Sequence, residues 1–178
     1  MPNTTEVAAA LAYSRYATAA LDMRPDERAW LVATVDAPFD WGAAEASIAR
    51  ILDGGDPTAL AAALRRVRRR VFIQTLVRDL TGRAGLAEVC ANMTMLAESA
   101  LRAAVTLHHR ALAADYGEPR DERGAAQGLV VIGMGKLGGA ELTFRPMWTW
   151  SSSIRKTEKR TAHEGCPAAS FSNGWAGA

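Results

Sequence analysis

The sequence predicts a mainly α protein, a helical bundle or array followed by the short, truncated start of an α/β unit. Three observations predict it. From residue 4 to about residue 116, cap residues and glycine stops recur at helical distances. The apolar residues of the two longest segments repeat close to every 3.6 positions. After residue 117 the pattern breaks: EPRDERGAAQG, residues 118–128, is polar, and the β-branched run LVVI follows it.

Taken in order, a Thr4/Thr5 cap predicts a first helix through Leu21. Pro25 and Asp26 predict a second through Val35, since proline suits the first helical turn and acids suit the positive end of the helix dipole. Asp40 is a cap for a third, ending at Gly54 and Gly55. Asp56-Pro57 opens a longer helix in which Leu60, Leu64, Val67, Val71 and Leu80 form one apolar stripe, broken by Gly82 and Gly85. A fifth helix, Leu86 to Asp115, carries Val89, Met93, Leu96, Ala100, Leu107 and Leu112, with Gly117 as its stop. The resulting division is a helical region over 1–117, a linker over 118–128, and a new unit whose first strand is Leu129 to Ile132.

Composition supports an ordered chain: 49% hydrophobic and 22% charged residues with a formal charge of +2 over 178 residues. No apolar run approaches the ~18 residues of a membrane span. The start, MPNTTEVAAALAYSR, lacks the basic opening and apolar centre of a secretion signal, so a cytoplasmic location is expected. Two cysteines, Cys90 and Cys166, have neither metal spacing nor disulfide density, and read as a buried thiol and an incidental one.

Two clusters invite functional readings. Residues 64–70 read LRRVRRR, placing Arg65, Arg66, Arg68, Arg69 and Arg70 around most of one helix. Some must lie beside the core and snorkel along it. The run reads either as a solvated basic face or as an anion contact, to nucleotide phosphate or to an acidic partner protein. Nucleic acid fits poorly, because no aromatics are interleaved and the net charge is low. His108 and His109 are adjacent on a helix and point about 100° apart, so they cannot share a metal as an i,i+4 pair could.

Gly133, Gly135 and Gly138 satisfy G-x-G-x-x-G after a strand. A dinucleotide site would also need a βαβ unit and an acid about twenty residues on, and five predicted helices precede this motif instead. The P-loop pattern fails, because no Gly-Lys-Ser/Thr closes the turn. Lys136 reads either as a neutraliser of phosphate charge or as a solvated turn lysine.

A longer match carries more. GMGKLGGAEL, residues 133–142, resembles the G-x-G-K-L-G-G-x-E-L signature of the bacterial glutamate–ammonia-ligase adenylyltransferases, which attach AMP to glutamine synthetase and remove it. The upstream text LRRVRRRVFIQTLVRDLTGRAGLAEVCANMTMLAESAL resembles the region ahead of that signature. The resemblance covers roughly residues 1–143. It implies that residues 129–143 begin a nucleotidyltransferase domain of the DNA polymerase beta type. It further implies that Gly138 and Gly139 let backbone amides approach nucleotide phosphates, with Lys136 beside them. Mg2+ is the implied cofactor. Glutamine synthetase, nucleotide and phosphate are the implied partners, with the nitrogen-signalling PII protein for the intact family. Because the signature comes about 130 residues from the start, the chain is expected to belong to the adenylyl-removing half, which uses phosphate to release AMP from tyrosine as ADP.

The chain then departs from the pattern. The family continues Ser-Ser-Asp-x-Asp-Leu, whose paired aspartates hold Mg2+ for phosphoryl transfer. Here the text is TFRPMWTWSSS. Residues 144–150 back-translate to TTY CGN CCN ATG TGG ACN TGG. Read from the third base, this becomes YCG NCC NAT GTG GAC NTG G, which allows Ser-Ser-Asp-Val-Asp-Leu. In the same frame the next codons allow Val-Phe-Leu-Tyr-Pro-Glu-Asp-Gly. Residues 144–178, which carry three of the five tryptophans, therefore read as an out-of-frame, disordered tail. With Glu141, Glu158 and Glu164 as the nearby acids, no metal ligand and no catalytic residue is assigned, and the chain is expected to be inactive. Strand 129–132 is expected to lack partners and to be poorly ordered. The competing expectation is a non-catalytic helical interaction module with a basic helix.

Overall fold

The computed structural model describes residues 4–144 and 150–153. Its helices are α1 Thr4–Leu11, α2 Arg15–Asp22, α3 Pro25–Thr34, α4 Trp41–Asp53, α5 Pro57–Leu80 and α6 Leu86–Tyr116. They are followed by strand β1 Val130–Gly133, the one-turn helix α7 Gly135–Gly138 and strand β2 Trp150–Ser153. The mainly helical class is as predicted. An α/β nucleotidyltransferase domain is not established by the described residues.

Most helix boundaries fall where cap chemistry puts them. The Asp40 carboxylate accepts from the Ala43 amide at 2.9 Å, and that of Asp56 from Thr58 at 2.8 Å, with Pro57 next in the chain. Gly82 and Gly117, at φ +71° and +81°, supply the left-handed backbone that follows α5 and α6.

The predicted first helix is in fact two. Ser14 turns extended, at φ −132°, and its hydroxyl accepts from the Ala17 amide at 3.2 Å, capping α2. Thr18 donates back to the Leu11 carbonyl at 2.9 Å, which also accepts from the Ser14 amide at 2.9 Å, tying α2 to the end of α1. The buried positions Val7, Ala10, Leu11, Ala17 and Leu21 keep a helical period across this break. Periodicity alone therefore could not show it.

Helix α5 is the shared wall of two cores. One joins α4, the first half of α5 and α6 through Ile48, Leu60, Val67, Val71, Met93 and Leu107. The other packs α1, α2 and α3 on the second half through Leu11, Leu21, Leu31, Val35, Ile73 and Val77. The predicted single stripe was therefore too narrow. Leu80 is 44% exposed, whereas Ile73 and Val77, on a face not predicted, are buried. A helix enclosed on two sides must be apolar on two sides. On α6, Leu112 is likewise exposed rather than core.

Polar side chains seal the joints between these helices. Gln74 donates to the carbonyls of Thr34 and Ala37 beyond the end of α3, at 2.8 and 3.1 Å. Arg78, 4% exposed at its side chain, donates to both oxygens of Glu88 and to the Val35 and Arg83 carbonyls. Trp41 donates to Asn92, which donates to Thr75, linking α4, α6 and α5.

The predicted linker is a closed turn. Asp121 accepts from the amides of Arg123 and Ala125, and Arg120 donates to the Gly124 carbonyl at 2.7 Å. Beyond it, β1 and β2 pair antiparallel, Val130 with Ser153 and Gly133 with Trp150. Strand β1 thus has a partner, contrary to expectation, and that partner comes from the stretch read as disordered. The rest of the stretch expected to be out of frame, residues 145–149 and 154–178 with Cys166, lies outside the described residues.

Candidate functional site

The glycine signature forms a compact turn at the edge of the helical body. Leu137 and Leu142 are buried in the same core as Val67 and Leu107, so two side chains of the signature fasten it to the helices. Burying a leucine contributes about 1.5–3 kcal/mol. Phe144 continues the contact, edge-on to Phe72 of α5 with ring centroids 5.3 Å apart.

The glycines have separate tasks. A Cβ on Gly138 would stand 2.5 Å from the Gly133 carbonyl oxygen, so the turn closes onto β1 only with glycine there. Positive φ is needed at Gly135, +56°, and is adopted by Ala140, +53°; Gly138 and Gly139 do not use it. The amides of these two glycines donate within the turn, to the Met134 carbonyl at 3.5 Å and the Gly135 carbonyl at 2.9 Å. Lys136, Gly138 and Gly139 are all exposed.

Between this turn and α6 lies a cleft of about 570 Å3. Leu129, Val131, Gly133, Leu137 and Gly138 line one side; Glu98, Leu101, Arg102, Val105 and Thr106 line the other. It is an open groove rather than an enclosed pocket. Sequence reading missed the polar wall on α6. Glu98, Arg102 and Thr106 are spaced i, i+4 and i+8, a signal that was present but overshadowed by the core stripe of the same helix. Arg102 also approaches Glu45 of α4 at 3.6 Å.

The arginine run divides. Arg69 grips both oxygens of Glu27 on α3, at 2.7 and 3.0 Å. Arg70 approaches the same carboxylate at 3.5 Å and stacks its guanidinium 4.7 Å from the Trp30 ring centre. The Arg69 hydrogen bonds hold the Glu27 carboxyl below the usual carboxylate range, against the opposing effect of burial, and the charges of Arg70 and Arg66 add to the lowering. Arg65, Arg66 and Arg68 are exposed.

The remaining candidates are plain. His108 is exposed, and among the described residues His109 approaches Glu118 at 3.9 Å. Cys90 is free and half-buried rather than fully buried. Among the described residues, no group of three or more His, Cys, Asp or Glu comes together, and Glu141 is exposed.

Fold and site together define a mainly helical scaffold with a glycine-signature turn fastened to its edge. Residues 4–148 match the family described as glutamate–ammonia ligase adenylyltransferase, and the chain belongs to that family. It is 43% identical over 136 residues to the bifunctional glutamine synthetase adenylyltransferase/adenylyl-removing enzyme of Burkholderia mallei, covering 74% of this chain and 15% of that one. The protein of the same description from Bordetella pertussis is 38% identical over 148 residues, covering 80% and 16%. That from Aromatoleum aromaticum is 43% identical over 133 residues, covering 75% and 14%. This chain therefore spans well under two thirds of the relatives it matches. No solved structure matches it. No described helix is long and apolar enough to cross a membrane.

Proposed function

We propose that the chain is the helical approach and nucleotide-facing edge of an enzyme that moves AMP on and off glutamine synthetase, and that it belongs to the adenylyl-removing half. The observation that carries this reading is the signature turn, residues 133–142, fastened to the helical core by Leu137 and Leu142 beside an open cleft. Lys136 supplies the positive charge for a nucleotide phosphate. Gly138 lets the turn close onto the Gly133 carbonyl and Gly139 lies beside the Glu141 side chain, so on this reading they shape the turn that presents Lys136. Their amides are already engaged within the turn, and recognition on this reading comes from the lysine.

Mg2+ is the cofactor that such chemistry calls for, and the residues present do not fit it. Glu141 stands without a second carboxylate in any described cluster, and residues 144–153, FRPMWTWSSS, contain no acid. The chain as written neither adenylylates nor deadenylylates, and the codons of residues 146–149 allow the missing Asp-x-Asp one reading frame away.

Hydrogen exchange with and without ADP tests the nucleotide edge. Protection confined to residues 133–142 and lost in Lys136→Ala is the expected result; no ADP-dependent protection there refutes it. Phosphate-dependent release of ADP from adenylylated glutamine synthetase by this purified chain would overturn the proposed inactivity. A gene sequence across codons 143–150 that lacks the shifted Asp-Val-Asp reading would remove the frame argument.

A further inference from the structure

We propose that the N-terminal half of α5 is a docking surface for an acidic protein segment, held by Arg65, Arg66 and Arg68. The proposal is independent of the nucleotide edge. Between Asp56 and Asp79 the chain carries six arginines and no acid. Three of them are occupied internally: Arg78 by Glu88, and Arg69 and Arg70 by Glu27. The other three are exposed and make no hydrogen bond or ion pair among the described residues. Arg66 contributes to the field at Glu27, but that carboxylate is already shared by two closer guanidinia.

A merely solvated face would be expected to mix its charges. Here Arg65 stands one turn from Arg68, both unpaired among the described residues, a spacing at which like charges repel and destabilise a helix. Helix α5 keeps this repulsion although acids at neighbouring positions would relieve it. Among the described residues only Glu27 answers the run, and it serves Arg69 and Arg70, so the proposal assigns the charge facing the other three to a partner.

Geometry selects the occupant. At 100° per residue, the three exposed arginines spread over about 160° of the helix circumference. They diverge, so one phosphate cannot satisfy them together, whereas carboxylates distributed along a peptide can. Residues 64–70 carry no aromatic side chain of their own for a base to stack on, and Trp30 is covered by Arg70. An Asp/Glu-rich segment fits where a nucleotide or a nucleic acid does not.

The test uses the whole chain and a fluorescent polyglutamate peptide, with inorganic phosphate and a single-stranded oligonucleotide as competitors. Arg65→Gln/Arg66→Gln/Arg68→Gln should weaken peptide binding by about tenfold or more, the sum of three modest charge contacts. Arg15→Gln/Arg50→Gln/Arg123→Gln removes the same charge from other exposed positions and should change binding less than twofold. The first triple variant should melt no lower than the parent, because repulsion is relieved. Absence of peptide binding, equal losses in the two triple variants, or stronger binding of the oligonucleotide than of the peptide would each overturn the proposal. Loss of folding in the first variant would do so as well, because it would make these arginines structural.

Discussion

Replacing Glu27 by Gln tests how α3 is held to α5. The substitution keeps the shape of the side chain but removes the charge that faces Arg69 and Arg70. The Glu27 side chain is 10% exposed and that of Arg69 16%, so water cannot fully take over the lost contact. A charge-assisted hydrogen bond contributes about 1.5–3 kcal/mol, and breaking a well-buried ion pair costs about 3–5 kcal/mol. Arg70 offsets part of this, because its guanidinium keeps the Trp30 ring. A loss of about 2–3 kcal/mol follows, or about 5–10 °C in melting temperature for a chain of this size. The sign of the pH dependence follows from the lowered Glu27 carboxyl. A carboxyl depressed in the folded state stabilises fully above its unfolded value, about 4.3, and loses that contribution as pH falls through the folded value. Urea denaturation at pH 7 should therefore separate the parent from Glu27→Gln, and the separation should shrink as the pH falls below about 4. A difference under about 0.5 kcal/mol at pH 7, the ordinary range for surface changes, would refute the reasoning. So would a difference that stays constant down to the lowest pH at which the chain folds.

Two further substitutions probe other joints. Arg78→Met leaves Glu88 without its partner and the Val35 and Arg83 carbonyls without a donor, so urea denaturation should show a loss of about 3–5 kcal/mol. A loss under about 1 kcal/mol would mean that water substitutes for the guanidinium. Gly138→Ala places a methyl 2.5 Å from the Gly133 oxygen and should open the turn. Hydrogen exchange should accelerate over residues 133–142 while α1 to α3 stay protected, whereas Gly128→Ala, with open space at its Cβ, should do neither.

How much of this could be read from the residues depends on whether the signal was local. Asp40, Asp56 and Pro57 mark helix starts because the capping oxygen and the missing amide act within three residues. The break at Ser14 escaped notice because the buried positions on either side stay in phase. Which face of α5 is buried against α1 to α3 is set by partners 40 residues away, as in Gln74 with Thr34, and no window along the chain contains both. The same holds for the arginines: five identical letters divide into two that contact Glu27 and three that do not. The glycine signature was legible as a pattern of spacing. Its physical reason at Gly138, a carbonyl oxygen where a methyl would be, belongs to the closed turn. Strand β2 had no readable signal, since Trp-Ser-Ser-Ser lacks the alternation of a half-buried strand.

The double enclosure of α5 also governs what this chain does when it is damaged. A cut in the Gly54–Gly55 bend would separate α1 to α4 from everything after them, yet neither piece would leave with a finished interior. The first would take α1 to α3 without the wall they share, and the second would keep that wall with Ile73 and Val77 facing water. Nicked chains should therefore stay together as a non-covalent pair until the whole body melts.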